Sequence, residues 1–264
     1  MLQNTLKMRA FLEKTNKEWL DDFVYISKYP LDEMGVEIIP FESRFGDIDN
    51  NVFKKYNVNI NSDIVIGCVQ SCELFFYECG VEPPKYLGYP PELKQYLNRE
   101  INIIKVGDLP TSFPYFIKPK DGVKLFTGTL VENKNQLKIL NEQYPVTAET
   151  ELYISEPVNF LSEYRCFIHK GILKGIQWYA GDFKIFPDIA IIENMIKSYK
   201  SANVSYTLDV GVMNYGNSSL TTTTLIEVND MWAIGSYGFD GKKYVRMTID
   251  RFQEIAKTAK RLDI

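Results

Sequence analysis

What most constrains this chain is a succession of short strand-like runs, joined by turn chemistry, that fills its second half. Residues 152–158, 163–169 and 173–179 are such runs, with Lys170-Gly171 as a tight turn between the last two. Residues 206–213 and 222–228 come next, joined by Asn214-Tyr215-Gly216-Asn217, which is again turn chemistry. One helix interrupts them. Over 188–200 the apolar residues Ile189, Ile192, Met195, Ile196 and Tyr199 fall at helical spacing behind Asp188, a suitable N-cap. Upstream, 115–118 and 129–131 read as strands and 135–143 as a helix, and a last helix is expected over 250–261. Strands and helices mixed in this way predict an α+β fold.

The first part of the chain reads as a smaller α/β unit. Residues 5–20 carry Leu6, Phe11, Leu12, Trp19 and Leu20 at a spacing that predicts an amphipathic helix. Strands are expected over 23–26, 36–40 and 63–69, and a helix over 72–79. Pro83, Pro84 and Pro90 mark loops, and Pro91 suits the first position of a helix reaching about Asn98. The Gly107-Asp108-Leu109-Pro110 turn is the expected limit, dividing the chain into 1–108 and 109–264, the second with lobes of about 109–152 and 153–264.

Composition removes several function classes. The net charge of −4 argues against nucleic acid or an anionic membrane as partner. A single histidine, His169, excludes a three-histidine zinc site and leaves one position for any Ser/Cys-His machinery. His169 precedes a tight turn and is expected to be exposed and uninvolved. Phosphate chemistry needs no histidine, because lysine, arginine, carboxylates and a hard cation suffice. Cys68, Cys72, Cys79 and Cys166 lack C-x-x-C spacing and read as small buried hydrophobes, which with a charged N-terminus and no apolar run of membrane-spanning length predicts a cytoplasmic protein.

The chemistry-bearing residues fall in separate segments. Glu227 and Asn229 are i and i+2 on one strand and share a face, and Asp209 on the preceding strand can face them if the two form a hairpin. That arrangement suits one or two Mg²⁺, since partly buried like charges are costly unless a cation neutralises them. An alternating strand with a solvated polar face would carry the same residues. Lys118 ends a strand and is followed by KPKDGVKLFTG, where the glycines let backbone N–H groups approach phosphate oxygens. It is not a P-loop, and by itself it reads equally as a basic surface hairpin. Finally, in YISEPVNFLSEYRCFI a short linker can meet a nucleobase edge with its backbone, and Glu163 and Arg165 share a strand face.

Taken in order, these elements resemble the ATP-grasp superfamily, and within it a compact clade of predicted carboxylate–amine ligases. The resemblance is carried by FIKP with K-x-F-x-G, SE with SEYR, Y-x-G-D with PD, and LDVGV with IEVND, over residues 115–238, preceded by GYPPELKQYLNREI. It implies two α+β lobes clamping ATP, behind a small α/β domain. It assigns Lys118 to the α-phosphate, and Lys124 with Gly128 to a loop over the β- and γ-phosphates. Glu156 and Val158 are assigned to adenine, Glu163 to ribose, and Asp209, Glu227 and Asn229 to Mg²⁺.

This chain departs from the superfamily pattern at two points. Thr207 stands where many ATP-grasp ligases have an arginine, so Arg165, Lys184 or Arg246 is expected to supply that catalytic charge, beside Lys124. An earlier phosphate-binding lysine is matched only by Lys94 or Arg99. Asp182, Asp230 and Tyr237 are lesser candidates to face the cleft or orient an acceptor. The resemblance implies an ATP- and Mg²⁺-dependent ligase acting on a small molecule, amino acid or peptide. A phosphotransferase on the same fold and a non-catalytic nucleotide-binding module are the alternatives.

Overall fold

The computed structural model describes residues 8–15, 18–19, 22–43, 51–120, 125–214 and 219–262. The N-terminal layer comprises β1 (Arg9–Thr15), β2 (Glu18–Trp19), α1 (Asp22–Glu33), β3 (Glu37–Glu42), β4 (Asp63–Ile66) and α2 (Val69–Glu78). Strand β1 lies between β3 and β4, parallel to both, and β2 turns back antiparallel on its end. The helix expected over 5–20 is therefore strand where it is described. Ala10, Phe11 and Leu12 are all fully buried, and a strand covered on both faces is an unbroken apolar run rather than an alternating one. Conversely, the strand expected over 23–26 is the start of α1, whose buried residues Phe23, Val24, Ser27, Pro30 and Leu31 recur at helical spacing.

A 3₁₀ segment, Pro91–Tyr96, replaces the longer helix expected from Pro91. It leads to a second sheet built from β5 (Ile101–Lys105), β6 (Tyr115–Pro119), β7 (Thr129–Val131) and β8 (Glu151–Ser155), with α3 (Lys134–Gln143) between β7 and β8. Its order is β5-β8-β6-β7, antiparallel throughout. Because β5 pairs with β8, this sheet begins at Ile101, ahead of the turn at 107–110 expected to separate the units. Strand β8 ends at Ser155, so residues 156–161 form the link to the next sheet.

The third sheet comprises β9 (Ser162–His169), β10 (Ile172–Gly181), β11 (Ser205–Asn214) and β12 (Thr221–Asp230), in the order β10-β9-β11-β12, with α4 (Ile189–Ser198) between β10 and β11. Lys170 and Gly171 are both left-handed, φ 52° and 70°, as a two-residue hairpin turn requires. Asp188 caps α4 by accepting from the Ala190 N–H at 2.8 Å. Residues 215–217 of the second expected turn lie outside the described residues.

The last helix, α5 (Gly241–Thr258), starts at Gly241 rather than Asp250, capped by Asp240, which accepts from the Lys243 N–H. Gly241 is needed there because a Cβ would sit 2.5 Å from the Ile26 carbonyl oxygen of α1. Tyr244, Val245, Phe252 and Ile255 of this helix share one core with Phe11, Phe75 and Phe76, and the rings of Phe76 and Phe252 stack at 5.4 Å. A second core lies between α4 and one face of the third sheet, and a third core fills the middle lobe, the part of the chain built on the second sheet. Cys72 and Cys166 are buried as expected, whereas Cys68 and Cys79 are half-buried. No helix among the described residues is long and apolar enough to cross a membrane.

Candidate active site between the two lobes

One face of the third sheet is apolar and packs under α4 through Tyr164, Cys166, Ile168, Leu208, Val210, Leu225 and Val228. Alternation sends Glu163, Arg165 and Asp209 to the opposite face. Strand β12 needs an irregularity to join them, because Leu225 and Glu227 would otherwise point the same way. The register supplies it: Asp209 pairs with Glu227 and Val210 with Leu225, leaving Ile226 as an extra residue. This bulge turns Glu227 and Asn229 toward Asp209 while Leu225 stays in the core. The carbonyls of Leu225 and Ile226 accept from Arg99 at 2.9 and 3.1 Å, and that guanidinium also donates to the Leu97 carbonyl. Arg99 therefore clamps the bulge, and Lys94 is exposed on the 3₁₀ segment.

Arg165 and Asp209 are directly opposed on β9 and β11 and form a buried two-point pair at 2.8 and 2.7 Å. Burial works against the Arg165 charge, but the Asp209 carboxylate outweighs it and holds the guanidinium pKa above its ordinary value. Arg165 also donates to the Gly235 carbonyl at 3.0 Å and lies 4.7 Å from the centre of the Tyr237 ring. Arg165 thus places a positive charge beside Asp209 from the strand next to Thr207.

The middle lobe contributes Lys118 from β6. Its ammonium donates to Glu227 and to the Tyr86 hydroxyl, and Tyr86 in turn donates to Glu227. Lys118 and the Asp209/Glu227/Asn229 group therefore meet across one cleft. Burial alone would raise the Glu227 pKa; the Lys118 charge, with hydrogen bonds from Lys118, Tyr86 and Asn229, takes it below the usual carboxylate range. Asn229 also donates to Asp209 at 3.2 Å. Two carboxylates bridged by a carboxamide are a donor set that suits a hard divalent cation. Among the described residues, no three His, Cys, Asp or Glu side chains converge on a common point.

Glu163 stands two residues before Arg165. Burial pushes its pKa up, opposed by a hydrogen bond from Tyr179 and reinforced by nearby Asp209. Tyr179 stacks on Tyr237 at 5.0 Å. In the linker, Glu156 is exposed and Val158 half-buried, and the Phe160 ring lies against Gly211, where a Cβ would fall 2.3 Å from it. Gly128 has a packing reason of the same kind, since its Cβ would lie 2.5 Å from the Phe116 ring. Lys124 lies outside the described residues.

Other expected participants are placed elsewhere. Arg246 pairs with Asp250 at 3.0 Å, beside His169 and Lys170, at the end of β9 away from Glu163. His169 is mostly buried against Asp250 rather than exposed, because α5 covers that end of the strand. Asp230 is held by Arg251 through two bonds of 2.7 Å. Asp182 accepts from the Lys184 N–H in a local turn, and both residues are exposed. Sequence reasoning missed Tyr86, Tyr89 and Tyr153, which surround Lys118: Tyr89 lies 5.8 Å from its ammonium and packs edge-on against Tyr153. The available signal is the chain's 14% aromatic content, with 17 tyrosines, though it does not distinguish core from cleft.

The model of one ATP-grasp domain family, the second family of its clade, matches residues 96–247. Among solved structures, the chain is similar to D-alanine–D-alanine ligase from Bacillus anthracis complexed with ATP, at 14% identity and TM-score 0.53, covering 95% of this chain and 98% of that one. It is also similar to the RimK domain ATP-grasp protein from Sphaerobacter thermophilus DSM 20745, at 13% identity and TM-score 0.55, covering 92% and 99%. A third similarity is to the D-cycloserine synthetase DcsG, at 9% identity and TM-score 0.57, covering 92% and 99%. Among curated proteins, none matches the chain.

Proposed function

Since this chain belongs to that ATP-grasp domain family, we propose that it is an ATP- and Mg²⁺-dependent ligase joining a carboxylate to an amine. The observation that carries the reading is the meeting of Lys118 from one lobe with Glu227, Asp209 and Arg165 from the other. A cleft with Lys118 on one wall and the carboxylate–carboxamide set beside Arg165 on the other suits a triphosphate bridged by a divalent cation. The D-alanine–D-alanine ligase and D-cycloserine synthetase among the structural relatives are compatible with an amino-acid or other small-molecule substrate.

In this reading the nucleoside lies along the linker, with Glu156 and Val158 at adenine and Glu163 accepting from ribose hydroxyls. Lys118 neutralises the α-phosphate, and Lys124 with Gly128 belongs to the loop above the β- and γ-phosphates. Asp209, Glu227 and Asn229 would hold Mg²⁺, which supplies charge neutralisation on the phosphates when bound. A substrate carboxylate oxygen attacks the γ-phosphorus, the bond to the β-phosphate oxygen breaks, and ADP departs. The resulting acyl phosphate is attacked at carbon by the amine, which loses a proton as inorganic phosphate leaves. Arg165 stabilises the charge gathering on the transferring group, and the closed cleft excludes water that would hydrolyse the acyl phosphate.

The test is trapping. With ATP, Mg²⁺ and a panel of amino acids and short peptides, hydroxylamine should convert the acyl phosphate of the true substrate to a hydroxamate, with ADP formed in equal amount. Glu227→Gln should abolish both signals and keep the fold. Substrate-dependent ADP release with phosphate retained on a stable product would instead identify a phosphotransferase and defeat the proposal.

A further inference from the structure

We propose that Tyr86 is a positioning residue that sets Glu227 and Lys118 for nucleotide carrying a bound cation, an inference resting on the metal-ligand reading of Glu227. Tyr86 belongs to the segment between the N-terminal layer and the middle lobe, outside the 96–247 match to the family. That segment is fixed on the free edge of β12: the Gly88 carbonyl accepts from the Val228 N–H at 2.8 Å, with Val228 lying between Glu227 and Asn229. Gly88 is left-handed, φ 54°, and a Cβ there would lie 2.8 Å from the Tyr86 ring. Glycine is thus what allows the ring to fold back over the strand it has just joined. The hydroxyl so delivered donates to Glu227 and accepts from Lys118, while the Lys118 ammonium sits 4.9 Å from the centre of the ring.

One hydroxyl therefore holds two groups from opposite lobes that the proposed reaction must separate, Lys118 toward phosphate and Glu227 toward the cation. When they part, the bond to Glu227 keeps one carboxylate oxygen engaged and the other aimed. Loss of such an outer partner costs about 10–100-fold in metal affinity.

Calorimetry on the full chain tests this with ATP plus Mg²⁺, ATP plus EDTA, and adenosine. Tyr86→Phe retains the ring and should reduce the Mg²⁺-dependent gain in ATP affinity about 10–100-fold, leaving adenosine affinity unchanged. Gly88→Ala, which keeps the hydroxyl but displaces the ring, should give a loss of the same kind. Glu227→Gln should lose the Mg²⁺-dependent gain altogether. If Glu227→Gln loses the gain while Tyr86→Phe and Gly88→Ala retain it, the role of Tyr86 is refuted and the metal site stands. If Glu227→Gln retains it, the metal reading fails and takes this inference with it. Equal losses for ATP and adenosine in Tyr86→Phe would make the residue a structural prop and overturn the proposal.

Discussion

Glu163 shows how one residue's surroundings set its use. Held half-buried beside Asp209, it has a pKa raised by burial, and in the ribose role proposed for it the ionised form is the stronger acceptor. Its raised pKa gives a signed expectation: adenosine affinity should be steady at neutral pH and fall as pH drops, beginning above the ordinary glutamate range. Glu163→Gln should bind adenosine more weakly at pH 7, by about 1–3 kcal/mol for loss of a charged acceptor, and should show no such pH dependence. Isothermal titration across pH 4.5–8 with both proteins checks this; parallel curves would remove Glu163 from the ribose site. Lys118, Asp209 and Glu227 are legible in the sequence because each type has few reasons to occupy a strand face beside apolar neighbours. The ion pairs that Arg246 and Asp230 make with Asp250 and Arg251 are not legible in the same way, because the partners are fixed by α5 and not by strand alternation.

At the scale of the element, the bulge in β12 decides whether a site forms. No local signal announces it, since Leu225-Ile226-Glu227-Val228 reads as a plain strand. Alternation correctly puts Glu227 and Asn229 on one face but says nothing about Leu225 crossing to the other. Arg99, which clamps the bulge, is in the sequence only one of two matches, with Lys94, to a phosphate-binding lysine, because its three carbonyl partners come from the chain fold rather than from any side-chain motif. Arg99→Ala should cost roughly 1–3 kcal/mol, the penalty for half-buried carbonyls left without donors, and lower Mg²⁺-dependent ATP affinity by misaiming Glu227. Urea unfolding together with calorimetry decides the matter: a phosphate ligand would lose ATP affinity at unchanged stability. Elements with strong local codes are the legible ones, among them α4 with its Asp188 cap and the Lys170-Gly171 hairpin. The helix expected over 5–20 is strand over Arg9–Thr15, where burial on both faces erases the alternation that marks a strand.

For the molecule as a whole, the core does not follow the division into an N-terminal unit and a larger remainder expected from the sequence. Phe252 and Ile255 of α5 complete the apolar layer begun by Phe11, Phe75 and Phe76. Phe252→Ala should therefore destabilise by about 3–5 kcal/mol. It should lower the melting of signals from the N-terminal layer and from the third sheet together, as hydrogen exchange resolved by peptide would report. Separate melting of the two would show that the shared core is not cooperative. The same arrangement bears on how the protein is made. A ribosome delivers Phe76 well before Phe252, and at about 5–20 residues per second the interval is roughly 10–35 s. Through that interval the nascent N-terminal sheet has its strands but lacks the helix that seals it. Its aromatic face is left open to chaperones, or to the same face on a neighbouring chain of the polysome.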